Sequence, residues 1–93
     1  LIPCFPKGRI SKSQASLFLK KVIKAINSLH DNGWSHGDIK EENTSCTIDG
    51  VLKLIDFGNS RPLTKKDEEK LMDEDIEYYN DDLVSRVMER VSK

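Results

Sequence analysis

The feature that most constrains this chain is a polar loop followed, across one hairpin-sized segment, by a second short motif. Residues 36–43 read His-Gly-Asp-Ile-Lys-Glu-Glu-Asn, and residues 56–58 read Asp-Phe-Gly. Between them, the dipeptide Asp49-Gly50 is a strong turn signal and predicts a hairpin over residues 44–55. We therefore expect the loop and the second motif to face each other across the base of this hairpin.

A long amphipathic helix is predicted to lead into the loop. Ser11 and Gln14 form a capping-box pair at its start, and Gly33 suits the left-handed position that follows its end. Apolar residues recur at three- and four-residue steps along residues 12–31, namely Ala15, Phe18, Leu19, Val22, Ile26 and Leu29. Helix and hairpin together predict an α+β fold that is mostly helical, with one small β-hairpin.

The two motifs, in this order and at this separation, resemble those of the protein kinases. The kinase catalytic loop follows the pattern His-Arg-Asp-Leu-x-x-x-Asn and is followed by Asp-Phe-Gly. The matching residues here are His36, Asp38, Asn43, Asp56, Phe57 and Gly58, with Ile39 in place of Leu. The resemblance implies that residues 1–93 form part of a protein kinase domain, namely a partial carboxyl lobe.

The resemblance implies a role for each polar residue of the two motifs. Asp38 would be the base or orienting group for the acceptor hydroxyl, and Lys40 would lie near the transferred phosphate. Asn43 and Asp56 would bind magnesium through oxygen ligands and, with Lys40, would hold ATP. Taken alone, each of these residues could instead be an ordinary turn or surface residue.

Two departures from the kinase pattern, at Gly37 and Ser45, have consequences. Gly37 replaces the usual Arg, which pairs with a phosphate on the activation loop, so regulation by loop phosphorylation is not expected and Gly37→Arg should change little. Ser45 falls where an aliphatic residue usually floors the adenine site, which disfavours normal adenine packing.

No Ala-Pro-Glu motif follows the second motif, so residues 59–93 are expected to hold a degenerate activation segment and helices. Thr64 and Asp67 could cap one of these helices. Asp82 is the candidate for the kinase aspartate that braces the catalytic loop, with Asp81 as its rival.

Length and composition limit the remaining possibilities. A chain of 93 residues is one small domain, so the resemblance implies a missing amino-terminal lobe before Leu1 that would carry the glycine-rich loop and the nucleotide-binding lysine. The net charge of −1 gives no argument for nucleic acid or membrane partners. Cys4 and Cys46 show no disulfide framework or metal spacing, and no signal peptide opens the chain. Reduced thiols and a cytoplasmic location are therefore the default expectation.

Three functions remain open. The first is ATP-dependent phosphoryl transfer to serine or threonine of a protein substrate, as part of a larger kinase, and Lys40 with the intact Asp-Phe-Gly favours it. The second is a kinase-fold enzyme that acts on a small molecule. The His-Gly-Asp sequence and the missing Ala-Pro-Glu motif favour it. The third is a non-catalytic, lobe-only decoy. Under each of these, residues 1–93 alone are expected to be inactive.

Overall fold

A computed structural model describes residues 2–3 and 5–91. Within these residues, three helices and five short strands follow one another, with a 3₁₀ turn at Glu41–Asn43 and a π-helical turn at Tyr79–Val84. The elements in chain order are β1 (Ile2–Pro3), α1 (Lys12–Asp31), β2 (Trp34–Ser35), β3 (Thr44–Cys46), β4 (Leu52–Leu54), β5 (Arg61–Pro62), α2 (Glu68–Tyr78) and α3 (Ser85–Glu89). The predicted α+β class, mostly helical and with a small hairpin, is confirmed.

Helix α1 is specified at both ends and along its length. The Ser11 hydroxyl accepts a hydrogen bond from the Gln14 backbone N–H, and the Gln14 side chain accepts one from the Ser11 backbone N–H, so the capping box is present. The apolar stripe faces the core and is buried at Ala15, Phe18, Val22 and Ile26, and the same face ends in the buried His30. The helix therefore begins and ends where local signals predict and leads directly to the loop.

Strand β3 is the centre of a three-stranded antiparallel sheet with β1 and β4 on either side. The β3–β4 hairpin turns at Asp49-Gly50, where Gly50 has φ +87°. The Thr47 hydroxyl donates to the Asp49 carboxylate, which lowers the pKa of that exposed carboxyl. All three β3 residues are buried because this strand has a neighbour on each edge. The amino-terminal segment contributes the edge strand of this sheet at Ile2–Pro3.

The carboxyl-terminal helices close the core against α1. Leu83 and Val87 are fully buried and join Val22 and Ile26 in one hydrophobic cluster. A π-helical turn at Tyr79–Val84 joins α2 to α3 within one continuous helical stretch. Before α2, the Thr64 hydroxyl donates to Asp67, and this bond lowers the pKa of the Asp67 carboxyl.

The prediction of reduced thiols is wrong for Cys46, which is disulfide-bonded. The spacing of the cysteines in the sequence could not reveal this bond, because a disulfide depends on which distant residues the fold brings together. The expectation for Cys4 lies outside the described residues. The cytoplasmic prediction therefore loses the support that it took from reduced thiols.

Within residues 2–3 and 5–91, none of the helices combines the length and the apolar character needed to cross a membrane.

Candidate active site

The loop 36–43 is anchored by the side chains of His36 and Ile39, which are almost completely buried. His36 Nε2 lies 2.8 Å from the Ile55 carbonyl oxygen, and the Asp38 N–H donates to His36 Nδ1 at 3.1 Å. These two bonds require the tautomer with its proton on Nε2. The His36 ring also contacts the Phe57 ring, with centroids 5.0 Å apart. His36 therefore joins the loop to both residues that flank Asp56.

Asp38, Lys40 and Asn43 form one polar cluster. The Asn43 side-chain nitrogen donates to the Asp38 carbonyl oxygen at 2.8 Å and to its carboxylate at 3.2 Å. The Lys40 ammonium lies 3.3 Å from the same carboxylate oxygen. Both Asn43 bonds use Nδ2, which leaves Oδ1 available as a ligand for a cation. The structure thus brings together three of the four predicted site residues.

Asp56, the fourth predicted residue, lies at the base of the hairpin beside this cluster. The Ile55 N–H donates to the Asn43 carbonyl oxygen at 2.9 Å, so Asp56 directly follows a residue bonded to the loop. Asp56 is exposed and has φ +60°, and it is the residue other than glycine with a positive φ within the described chain. A non-glycine residue in this conformation is strained, and such strain concentrates at functional sites. The predicted facing of the loop and the second motif is present.

The donor set of Asn43 and Asp56 fits magnesium rather than a metal held by protein alone. Magnesium is usually bound by one or two carboxylates, with water and phosphate oxygens completing its shell. Within the part of the chain that the structure describes, no group of three or more His, Cys, Asp and Glu is placed to hold a metal ion. An amide oxygen and an exposed carboxylate would leave most ligand positions to water and phosphate oxygens.

Asp75 is the residue that the sequence prediction missed. Its carboxylate is fully buried and accepts hydrogen bonds from the backbone N–H groups of His36, at 2.9 Å, and Gly37, at 2.8 Å. His30 Nε2 lies 2.7 Å from the same carboxylate. The Asp75 carboxylate of α2 therefore joins the end of α1 to the start of the loop.

The prediction that Asp82, or its rival Asp81, braces the loop is accordingly wrong. Asp82 lies on the solvent side of the helix, 3.9 Å from Arg86 one turn later. The sequence held a signal for the right residue, because Leu71, Asp75 and Leu83 share one face at multiples of four residues. A carboxylate in the middle of an apolar helical stripe must find donors in the core.

Gly37 is needed for space, which contradicts the expectation that Gly37→Arg changes little. Gly37 has φ +87°, and a Cβ at this position would lie 2.5 Å from the Asn59 carbonyl oxygen. The segment that follows the second motif therefore lies directly against the loop backbone.

Ser45, the predicted adenine-floor position, lines a cavity of about 320 Å³. Phe5, Glu42 and Arg90 belong to the same lining. Ser45 itself is buried in β3 opposite Lys53 of β4. The effect of this serine on adenine packing stays a prediction.

Comparison with known proteins agrees with this geometry. The sequence profile of the protein kinase domain matches residues 4–91, and the chain therefore belongs to the protein kinase domain family. It is similar to a 3-phosphoinositide-dependent protein kinase 1 of Arabidopsis thaliana, with 40% identity over 57 residues, which are 61% of this chain and 12% of the relative.

Two further relatives are similar over stretches of comparable length. The serine/threonine-protein kinase hal4 of Schizosaccharomyces pombe is 42% identical over 52 residues, or 56% of this chain and 8% of the relative. The maternal embryonic leucine zipper kinase of Xenopus laevis is 38% identical over 52 residues, again 56% of this chain and 8% of the relative. The chain spans about a tenth of the length of these curated relatives.

Proposed function

We propose that this chain supplies the catalytic carboxyl-lobe part of a serine/threonine protein kinase, which transfers phosphate from ATP to a protein hydroxyl. The observation that carries the proposal is the cluster of Asp38, Lys40 and Asn43, joined to Asp56 through the hairpin base. Membership in the kinase domain family and the serine/threonine kinase names among the relatives support it.

In this proposal, Asp38 accepts the proton of the acceptor hydroxyl or orients that hydroxyl toward the phosphate. The Asn43 bond fixes the carboxylate from one side. The Lys40 ammonium, 3.3 Å away, offsets negative charge where acceptor and phosphate meet. Most of the rate in such a reaction comes from positioning and electrostatics, which this cluster supports.

Asn43 and Asp56 are the residues that would hold magnesium, and through it the ATP phosphates. When bound, magnesium neutralises charge that develops on the phosphates. The residues themselves have defined tasks in this proposal. Asn43 offers Oδ1 because its nitrogen is already engaged by Asp38, and the Asp56 carboxylate faces solvent at the hairpin base.

An amino-terminal lobe, in a longer protein that includes this chain, would complete the nucleotide site in this proposal. Phe57 is about half exposed and ends a groove of about 540 Å³ between α1 and β4. The glycine-rich loop and the lysine that pairs with nucleotide phosphates would come from that lobe.

The test of this function is an acceptor screen with the longer protein. Labelled ATP and magnesium would be supplied with a mixture of proteins and, separately, a panel of small hydroxyl compounds and amines. We expect label on serine or threonine of protein, and transfer that is lower by roughly 10²–10⁴-fold in an Asp38→Ala variant prepared identically. Transfer that is equal in the wild type and in Asp38→Ala would contradict the assignment.

A small-molecule acceptor is the second candidate, and one observation favours it. The segment after the second motif is short and lies against β2, which directly precedes the loop. Arg61 and Pro62 pair with β2, and α2 begins directly after Asp67. Little chain is left between them to support an extended peptide beside Asp38. Label confined to the small-compound panel of the same screen would select this candidate.

A further inference from the structure

The loop 55–60 holds the metal-binding candidate Asp56 in a strained conformation, and its two ends show what maintains it. A non-glycine residue at positive φ persists only when its surroundings fix the backbone on both sides. Asp56 itself supplies little of that constraint, since among the described residues its carboxylate accepts only a long bond of 3.4 Å, from the Gly58 N–H. The constraint must therefore come from the residues before and after it.

The upstream end of loop 55–60 is fixed by the catalytic loop. His36 Nε2 bonds the Ile55 carbonyl oxygen at 2.8 Å, and the Ile55 N–H donates to the Asn43 carbonyl at 2.9 Å. Both backbone groups of Ile55 are thereby engaged.

The downstream end is fixed by a serine hydroxyl. Ser60 Oγ donates to the Ser35 carbonyl oxygen at 2.6 Å, and the Ser60 N–H donates to the Phe57 carbonyl at 2.9 Å, which closes the turn. Ser35 Oγ in return donates to the Arg61 carbonyl oxygen at 3.3 Å. Ser35 and His36 are neighbours in the chain, so the Ser35 carbonyl oxygen and the His36 imidazole together hold the two ends of the loop.

We propose that Ser60 is a positioning residue for magnesium-dependent phosphoryl transfer, and that it acts by tying loop 55–60 to Ser35 so that Asp56 keeps its ligand geometry. This inference rests on the proposed function of Asp56. Ser60 touches neither the acceptor nor the nucleotide in this account. Its effect passes through the Phe57–Ser60 turn to the strained residue, and no phosphate on the segment is needed to hold it.

The experiment compares serine variants in the longer protein that contains this chain. Magnesium is titrated at saturating ATP while transfer to the identified acceptor is measured. Ser60→Ala should raise the magnesium concentration for half-maximal rate about 3- to 10-fold, the effect expected for one lost hydroxyl hydrogen bond. Ser60→Thr keeps the donor and should stay near the wild-type value. Ser16→Ala, which removes an exposed hydroxyl on α1, is the matched control and should not change it.

The outcomes separate this inference from the proposed function. A shift in the magnesium requirement with an unchanged KM for the acceptor supports the positioning role. If Ser60→Ala leaves the magnesium requirement unchanged, or only lowers the melting temperature, the inference is overturned while the function stands. If Asp56→Ala, measured alongside, retains full transfer, the proposed function itself fails.

Discussion

Replacing Gly37 by alanine should destabilise this domain strongly, and the structure allows the cost to be worked out. A side chain at φ +87° costs about 1–2 kcal/mol, because Cβ approaches the following carbonyl oxygen. The added Cβ would also lie 2.5 Å from the Asn59 carbonyl oxygen and 3.1 Å from its carbonyl carbon, so the backbone must move. Overpacking of this kind costs about 1–3 kcal/mol. The total is about 2–5 kcal/mol, a large part of the ~5–15 kcal/mol that holds a typical domain folded.

Gly33→Ala is the matched control for this prediction. Gly33 has the same φ of +87°, and a Cβ there would meet nothing within 4 Å. It should therefore show only the conformational cost of about 1–2 kcal/mol. The difference between the two variants measures the contact with Asn59.

The assay is urea-induced unfolding of both variants in the longer protein, followed by the near-ultraviolet signal of Trp34 beside the loop. We expect the Gly37→Ala transition at clearly lower urea than that of Gly33→Ala, with Gly37→Arg at least as low. Equal unfolding free energies for the two alanine variants would refute the reasoning that Gly37 is needed for space.

Three further predictions concern the brace, the core and the chain by itself. Asp75→Ala should lower the unfolding free energy by about 3–5 kcal/mol, since it removes a buried hydrogen-bonded carboxylate. Asp82→Ala should lower it by at most ~1 kcal/mol. Urea unfolding compares the two variants, and similar losses would contradict the role of Asp75 in bracing the loop. Burial raises the pKa of Tyr79, because the folded protein favours the neutral phenol. The stability that this preference contributes is complete below the unfolded pKa of ~10. It is lost as pH rises through the higher pKa of the folded state. Unfolding measured from pH 8 to 11 should show this loss, and Tyr79→Phe should lack it. Residues 1–93 alone should turn over ATP at a negligible rate in a labelled-ATP assay, and robust turnover would refute the need for an amino lobe.

Local sequence signals predicted the elements that local interactions specify. Helix α1 follows from its capping box and its apolar periodicity, since both act between residues three or four apart. The hairpin follows from Asp49-Gly50, which needs no distant partner. The facing of Asp38 and Asp56 then follows from the hairpin, because its two strands begin and end at the two motifs.

The features that the sequence did not reveal depend on contacts between distant residues. Asp75 bonds Gly37 across 38 positions, and Ser60 bonds Ser35 across 25. Neither pairing follows from periodicity, although the place of Asp75 on an apolar stripe was a usable signal. The requirement for Gly37 likewise depends on where Asn59 lies. Comparison of the motifs therefore showed only that an arginine is missing at this position.

The most direct test of the account is a magnesium-ATP titration beside turnover for Asp38→Ala and Asp56→Ala in the longer protein. Asp56→Ala should lose both activity and nucleotide affinity in magnesium, because the phosphates lose a metal ligand. Asp38→Ala should bind magnesium-ATP as the wild type does while transfer falls by roughly 10²–10⁴-fold, the range for a positioned base. If both variants lose binding equally, or if neither loses turnover, the roles assigned to the two aspartates are wrong.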